Sequence, residues 1–221
     1  MLGEIIQIAA SYEAFFILVR YANGNTRVFY ETSSLRKFSK EVNSIGGSRR
    51  CLLGKDGVSS VSWFEMLDFK KLLQPGEFIV HVGCAANTCV FTSSRGRLFS
   101  SGSNQFAELG IGITPSPGEV LEIKPCIINS ECVDQPFFVK TVHGDHNIVA
   151  LTNDGRVFVC GYSLGRNDEN QPNTLIQVKP DRSNVVFTDI CAGYYTLYGL
   201  TSKYIDCQEF QSVKALLRFM I

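Results

Sequence analysis

Short apolar runs broken by polar, glycine-bearing turns recur along this chain, and their pattern predicts β-hairpins rather than helices. In "NDGRVFVCG", residues 153 to 161, an Asn-Asp-Gly turn leads into alternating apolar positions; "SRGRLFSSG" (94–102) and "ANGNTRVFY" (22–30) repeat the arrangement after apolar, strand-like runs. A unit that recurs fixes the architecture before any single residue does. Three longer stretches align: "VHVGCAANTCVFTSSRGRLFSSG" from Val80, "VKTVHGDHNIVALTNDGRVFVCG" from Val139 and "FTDICAGYYTLYGLTSKYIDC" from Phe187. A weaker copy, "IIQIAASYEAFFILVRYANGNTRVFYE", begins at Ile5. The pattern predicts hairpins near residues 14–31, 88–101, 148–160 and 195–206, the last least regular.

Each copy supplies a first strand, a short polar loop, a second strand, a tight turn and a third strand. A further extended segment lies upstream of three copies: "SSVSWFEMLDF", "GEVLEIKPCII" and "NTLIQVKP". Four short antiparallel strands per unit make a propeller blade, whose faces are both covered by neighbouring blades. The expected fold is therefore all-β, a partial β-propeller of four-stranded antiparallel blades in one domain spanning 1–221, with approximate repeats 1–50, 58–112, 119–165 and 173–207. "GITPSPGEV" and "RNDENQPN" fit surface insertions. Beyond the last repeat, at 208–221, Val213, Leu216, Leu217 and Met220 stand at helical spacing. They fit a short C-terminal helix capping an open blade face; equally, the segment fits a chain that merely stops there. An uncapped stack would expose apolar blade faces and self-associate through them.

Composition narrows the function. With 21 basic and 21 acidic residues among 221, the chain has no net field to draw it to nucleic acid or anionic lipid. No apolar run reaches the roughly twenty residues of a membrane span, and the first residues lack the basic-then-apolar order of a signal peptide. A cytoplasmic or nuclear location is the resulting expectation. The eight cysteines are scattered and often sit in apolar runs, where they read as small buried residues in a reducing compartment.

"GRLFSSGSNQFAELGIG", residues 96 to 112, resembles the segment G-aromatic-x-x-G-x-N-x-x-G-Q-L-G-x-G of the regulator of chromosome condensation repeat, and "HGDHNIVALTNDGRVFVCG" resembles the half-repeat before it. Ala107-Glu108 stands where that family has Gly-Gln, and the Leu-Gly-x-Gly ending is lost after Gly161 and after Glu31. The resemblance implies a seven-bladed ring, of which this chain has material for about three and a half blades. It also implies a protein partner, in some members a small Ran-like GTPase whose nucleotide exchange they promote.

No phosphate-cradling loop, nucleophile elbow or clustered carboxylate pair is present, so neither covalent catalysis nor a cofactor is expected. A zinc site from Cys84, Cys89, His143 and His146 is disfavoured, because the cysteine spacing is too wide for a zinc knuckle. Phe99, Phe106, Phe158 and Leu109 read as core, while Trp63 fits either blade packing or an exposed anchor. The loops between first and second strands gather on one propeller face, which nominates Asn87, Asp145, His146, Asn147, Tyr194 and Tyr195 as partner-binding residues. Asp145 and His146 match, by position, the acidic and histidine loop residues that the resembled exchange factors use. Asp and Asn also serve simply to hydrogen-bond such turns. An interaction scaffold is the leading reading and an exchange factor the alternative.

Overall fold

The computed structural model describes residues 3–10, 15–31, 50–53, 61–66, 68–85, 88–113, 120–129, 134–144, 146–161, 173–179, 185–192, 197–201 and 216–219. Among these residues the regular elements are antiparallel strands in four sheets and one four-residue helix. The first sheet holds β1 (Glu4–Ala10), β2 (Phe15–Arg20), β3 (Thr26–Glu31), β4 (Arg50–Leu53) and β5 (Val61–Glu65), in the order β1-β2-β3-β5-β4. After the helix α1 (Phe69–Leu72), the second sheet runs β6 (Ile79–Ala85), β7 (Thr88–Ser93), β8 (Leu98–Ser103) and β9 (Val120–Pro125). The third contains β10 (Phe138–His143), β11 (Asn147–Thr152), β12 (Val157–Gly161) and β13 (Ile176–Gln177). The fourth contains β14 (Phe187–Ala192), β15 (Leu197–Thr201) and β16 (Leu216–Phe219). The innermost strands follow one another in space, β1 beside β6, β6 beside β10 and β10 beside β14.

The first three hairpins fall where the glycine turns predict them. In each, the glycine amide donates to the carbonyl three residues back: Gly24 to Tyr21 at 2.8 Å, Gly96 to Ser93 at 2.9 Å and Gly155 to Thr152 at 3.1 Å. The same three glycines have φ of +80°, +69° and +81°, the left-handed geometry that closes a three-residue hairpin loop. The fourth hairpin differs from expectation. β15 pairs with β16, from Leu200 opposite Leu216 to Leu197 opposite Phe219, so the third strand comes from the segment that helical spacing had suggested as a cap. Four apolar-rich residues, "LLRF", satisfy either period, and the open ladder edge of β15 selects the strand. Residues 202–215 and 220–221 lie outside the described residues.

Sheet membership also corrects the repeat boundaries. β5 pairs with β3, β9 with β8 and β13 with β12, so each upstream segment completes the sheet before it instead of starting the next one. A strand that follows a third strand along the chain finds that strand's unpaired edge first. By strands, the sheets therefore span 4–65, 79–125, 138–177 and 187–219.

The apolar face of each sheet is buried against the next. Phe16, Leu18, Val28 and Tyr30 of the first sheet meet Val82, Cys89, Phe91 and Phe99 of the second, with Phe69 of α1 between them. Val90 and Leu98 meet Phe138, Ile148, Ala150 and Phe158 across the second seam, and Val149, Leu151, Val157 and Val159 meet Phe187 and Ile190 across the third. Strands β7 and β11 are buried along their whole lengths, one face in each of two seams. That position explains their unbroken apolar sequences. At the near end of the stack, Ile17, Val19 and Phe29 on the far face of the first sheet are themselves buried.

Candidate protein-interaction face

Thr88 pairs with Gly102 and Asn147 with Gly161, so the loop entering a second strand and the segment leaving a third strand emerge at the same sheet edge. In the second sheet the departing segment is residues 104–113, the part of the chain carrying the repeat signature. Asn104 organises it: its side-chain oxygen accepts from the Leu109 amide at 3.1 Å and its amide group donates to the Ile113 carbonyl at 3.3 Å. Ser100 Oγ donates to the Leu109 carbonyl at 2.7 Å and so pins the bend to β8. Ala107 adopts φ +59° while almost completely buried, a left-handed backbone at the position where the resembled repeat carries glycine.

This bend rests on the corresponding loop of the third sheet. Phe106 packs on His146 with ring centroids 4.1 Å apart, and both residues are partly exposed. Glu108 lies beneath them, 3 % exposed, and its carboxylate accepts from the Phe106 amide at 2.6 Å. Burial raises the Glu108 pKa above the ordinary carboxylate value, opposed by backbone hydrogen bonds and by the nearby His146. Gly161 is where the two loops converge: at φ +98°, a Cβ there would stand 2.9 Å from Asn147 Cα and 3.1 Å from Glu108 Cα. Only glycine permits that approach.

Of the six nominated partner-binding residues, the structure describes two. His146 is half-buried on the loop face, as the strand order requires. Asn147 is 3 % exposed and its side-chain oxygen accepts from the Gly144 amide at 3.1 Å, so it closes the loop and is not available as a partner contact. A short polar side chain next to a buried strand start is drawn to the nearest orphan amide. Asn87, Asp145, Tyr194 and Tyr195 lie outside the described residues. Phe106, read from sequence as core, is instead the partly exposed support of His146; Phe99, Phe158 and Leu109 are buried as expected. For Trp63 the register is fixed, opposite Glu31 and Cys51.

A second set of residues was missed by sequence reasoning. Every innermost strand carries a register shift near its start, between Ile5 and Gln7, Ile79 and His81, Phe138 and Lys140, and Phe187 and Asp189. Such bulges re-aim the next side chain. Gln7 reaches across to β6, donating to the Val82 carbonyl and accepting from the Val82 amide, both at 2.9 Å. His81 Nδ1 approaches Thr141 Oγ1 at 3.4 Å, and Lys140 Nζ meets Asp189 Oδ1 at 2.5 Å. These equivalent positions tie consecutive sheets together along the inner ring. The signal was present as a polar residue at the third position of "IIQIAA", "IVHVGC", "FVKTVH" and "FTDICA", visible once the copies are stacked.

No protein-family model matches the chain, and no curated protein matches it in sequence. Solved structures do. Human WBSCR16 superposes with a TM-score of 0.63 at 16 % identity, over 91 % of this chain and 48 % of that one. Prp20p of Saccharomyces cerevisiae, described with its binding properties to Gsp1p and histones, gives 0.59 at 16 % identity, over 91 % and 44 %. Yeast RCC1 (Prp20) bound to Kap60 gives 0.58 at 15 % identity, over 91 % and 43 %. The chain thus spans less than half the length of each of these three structures. Among the described residues no helix is long and apolar enough to cross a membrane. The chain has the fold of part of an RCC1-type β-propeller.

Proposed function

We propose that this chain is a protein-interaction scaffold whose binding surface is the loop face around Asp145 and His146. The observation that carries the reading is the Phe106–His146 pair. It is a partly exposed aromatic contact between two sheets, set on a bend that Asn104, Ser100 and Gly161 hold rigid. Preformed aromatic surface beside polar groups is the composition of binding hot spots, because little conformational freedom is lost on docking. Partner binding by propellers of this fold supports it: Prp20p is described with Gsp1p and histones, and yeast RCC1 is seen bound to Kap60. No covalent chemistry is required of such a surface.

Nucleotide exchange on a small Ran-like GTPase is the competing reading, carried by the sequence resemblance. It would need tighter binding to the nucleotide-free than to the nucleotide-bound partner. The double variant Asp145→Ala, His146→Ala should reduce capture of a partner protein at least tenfold, a loss of about 1.4 kcal/mol in binding, with the melting temperature nearly unchanged. Adding the chain to a GTPase loaded with fluorescent nucleotide separates the two readings. Capture without faster release supports the scaffold; acceleration lost in the double variant supports exchange; undiminished capture by the variant overturns the site.

A further inference from the structure

Apart from Cys51 on β4, the cysteines among the described residues are Cys84, Cys89, Cys126, Cys160 and Cys191, all free thiols, and they differ sharply in what surrounds them. Cys160 is buried and donates to the Glu108 carbonyl at 3.3 Å, while Cys126 donates to the Leu109 carbonyl at 3.5 Å. Each is occupied by the 104–113 bend. Cys191 is exposed and pairs in register with Tyr198. Cys84 and Cys89 are another case. They stand directly opposite each other on β6 and β7, one pair in from Ala85 and Thr88, so their side chains share one face of the sheet.

Directly opposed residues of an antiparallel pair have Cα atoms about 4.5–5.5 Å apart. A disulfide spans Cα separations of about 4.4–6.8 Å. The bond therefore needs rotation of two side chains and no change of register. Cys84 is partly exposed and Cys89 is buried, so an oxidant meets Cys84 first and its partner waits behind it.

We infer that Cys84 and Cys89 form a reversible oxidative modification site, closed to an intrachain disulfide by a low-molecular-weight disulfide such as glutathione disulfide. The Cys84 thiolate attacks one sulfur of the oxidant and releases one glutathione, leaving a mixed disulfide on Cys84. Cys89 gives up its proton, attacks Cys84 Sγ and expels the second glutathione. Two protein thiols become one disulfide and the oxidant becomes two thiols, so electrons and protons balance. The closed loop runs only from residue 84 to residue 89, and a loop so short removes little chain entropy. A dithiol therefore reopens it. The bond would clamp the β6–β7 ladder one pair in from Ala85 and Thr88, and this inference stands whether or not the loop face meets a partner.

The test is differential alkylation of the full chain after exposure to glutathione disulfide, with peptide masses read before and after reduction. The expected result is that Cys84 and Cys89 lose first-step labelling to the same extent. The peptide holding both should be lighter by two hydrogens and free of glutathione, and dithiothreitol should restore both thiols. In the Cys89→Ser variant, Cys84 should instead retain a glutathione adduct, as exposed Cys191 does in either chain. The native-chain measurement does not depend on how the variant folds. A persistent adduct on Cys84 of the native chain, a bond from Cys84 to any other cysteine, or unprotected Cys84 under conditions that modify Cys191 would overturn the inference.

Discussion

The seam between the first and second sheets and the seam between the second and third are built from the same strands of the same repeat, yet they are stabilised differently. Across the first, Phe91 meets Phe16 edge-on at 5.9 Å and Phe69 at 5.0 Å, and Phe69 meets Phe99 at 6.1 Å. Aromatic packing of this kind does not depend on protonation. Across the second seam the strand residues are mainly aliphatic or small, and titratable groups enter at the loop-face end. Glu108 is buried at the loop face, while His143 from β10 lies over Gly83 of β6 with neither ring nitrogen hydrogen-bonded. Burial, reinforced by neighbouring His81, lowers the His143 pKa to about 3. The second seam is thus conditional on the charge state of His143 and Glu108, whereas the aromatic packing of the first is not.

The largest effect that would sharpen this contrast is Phe91→Ala. Removing a ring that is fully buried between two others should cost about 3–5 kcal/mol at any pH, measured by denaturant unfolding. A loss well under that would mean the first seam collapses to fill the space.

Next comes the pH dependence of the native chain. His143 binds protons more readily unfolded than folded, so its contribution is fully present above about 6.5 and is lost as pH falls toward about 3. The slope is at most about 1.4 kcal/mol per pH unit. His81, lowered by burial and by Lys140, acts in the same direction. Glu108 acts oppositely: with its folded pKa raised, it stabilises below the ordinary carboxylate value and that contribution is lost as pH rises through the folded value. Glu77 adds a lower window. Burial would raise its carboxyl, but hydrogen bonds from Arg97, Ser93 and the Gln74 amide outweigh this and hold it at about 2, so stability falls between about 4.5 and 2. In His143→Leu, with Glu108 left in place, the loss on acidification should be markedly shallower between pH 6.5 and 5. An unchanged acid profile would break the comparison.

Gly83→Ala probes the same seam sterically. The new Cβ would stand 2.7 Å from His143 Nε2 and 3.0 Å from Thr141 Oγ1, so the variant should lose about 1–3 kcal/mol. Combining it with His143→Ala should recover most of that loss, a coupling readable from a double-mutant cycle. The smallest effect belongs to the loop face: Ala107→Gly relieves a left-handed alanine and should raise stability by about 0.5–1 kcal/mol, net of the unfolded-state entropy of glycine. Destabilisation instead would show that the alanine methyl packs better than its backbone is strained.

The repeat was legible because its turns need particular residues. Gly24, Gly96 and Gly155 mark three hairpins, and unbroken apolar runs at β7 and β11 mark strands covered on both faces. Which sheet claims "VSWFE" or "VLEIKP" was not legible, since a strand of either composition satisfies the edge before it or the face after it. His146 was legible as a loop residue by alignment with Ala86-Asn87, but Phe106 was misread because a lone aromatic in a glycine-rich bend carries no record of exposure. Asn147 was misread for a related reason: its chemistry suits a partner and a loop amide equally, and only the 3.1 Å approach of Gly144 decides.

The sequence by itself determined the all-β class, the hairpin turns and the stacking of like units, because backbone dihedral limits and apolar periodicity act over a few residues. Tertiary structure alone decided that Leu216–Phe219 is a strand, that each fourth strand closes the preceding sheet, and that Gln7, His81, Lys140 and Asp189 join neighbouring sheets. Those outcomes depend on which edge, face or side chain lies across a seam. Residues far apart in the chain meet there, and no local pattern records the meeting.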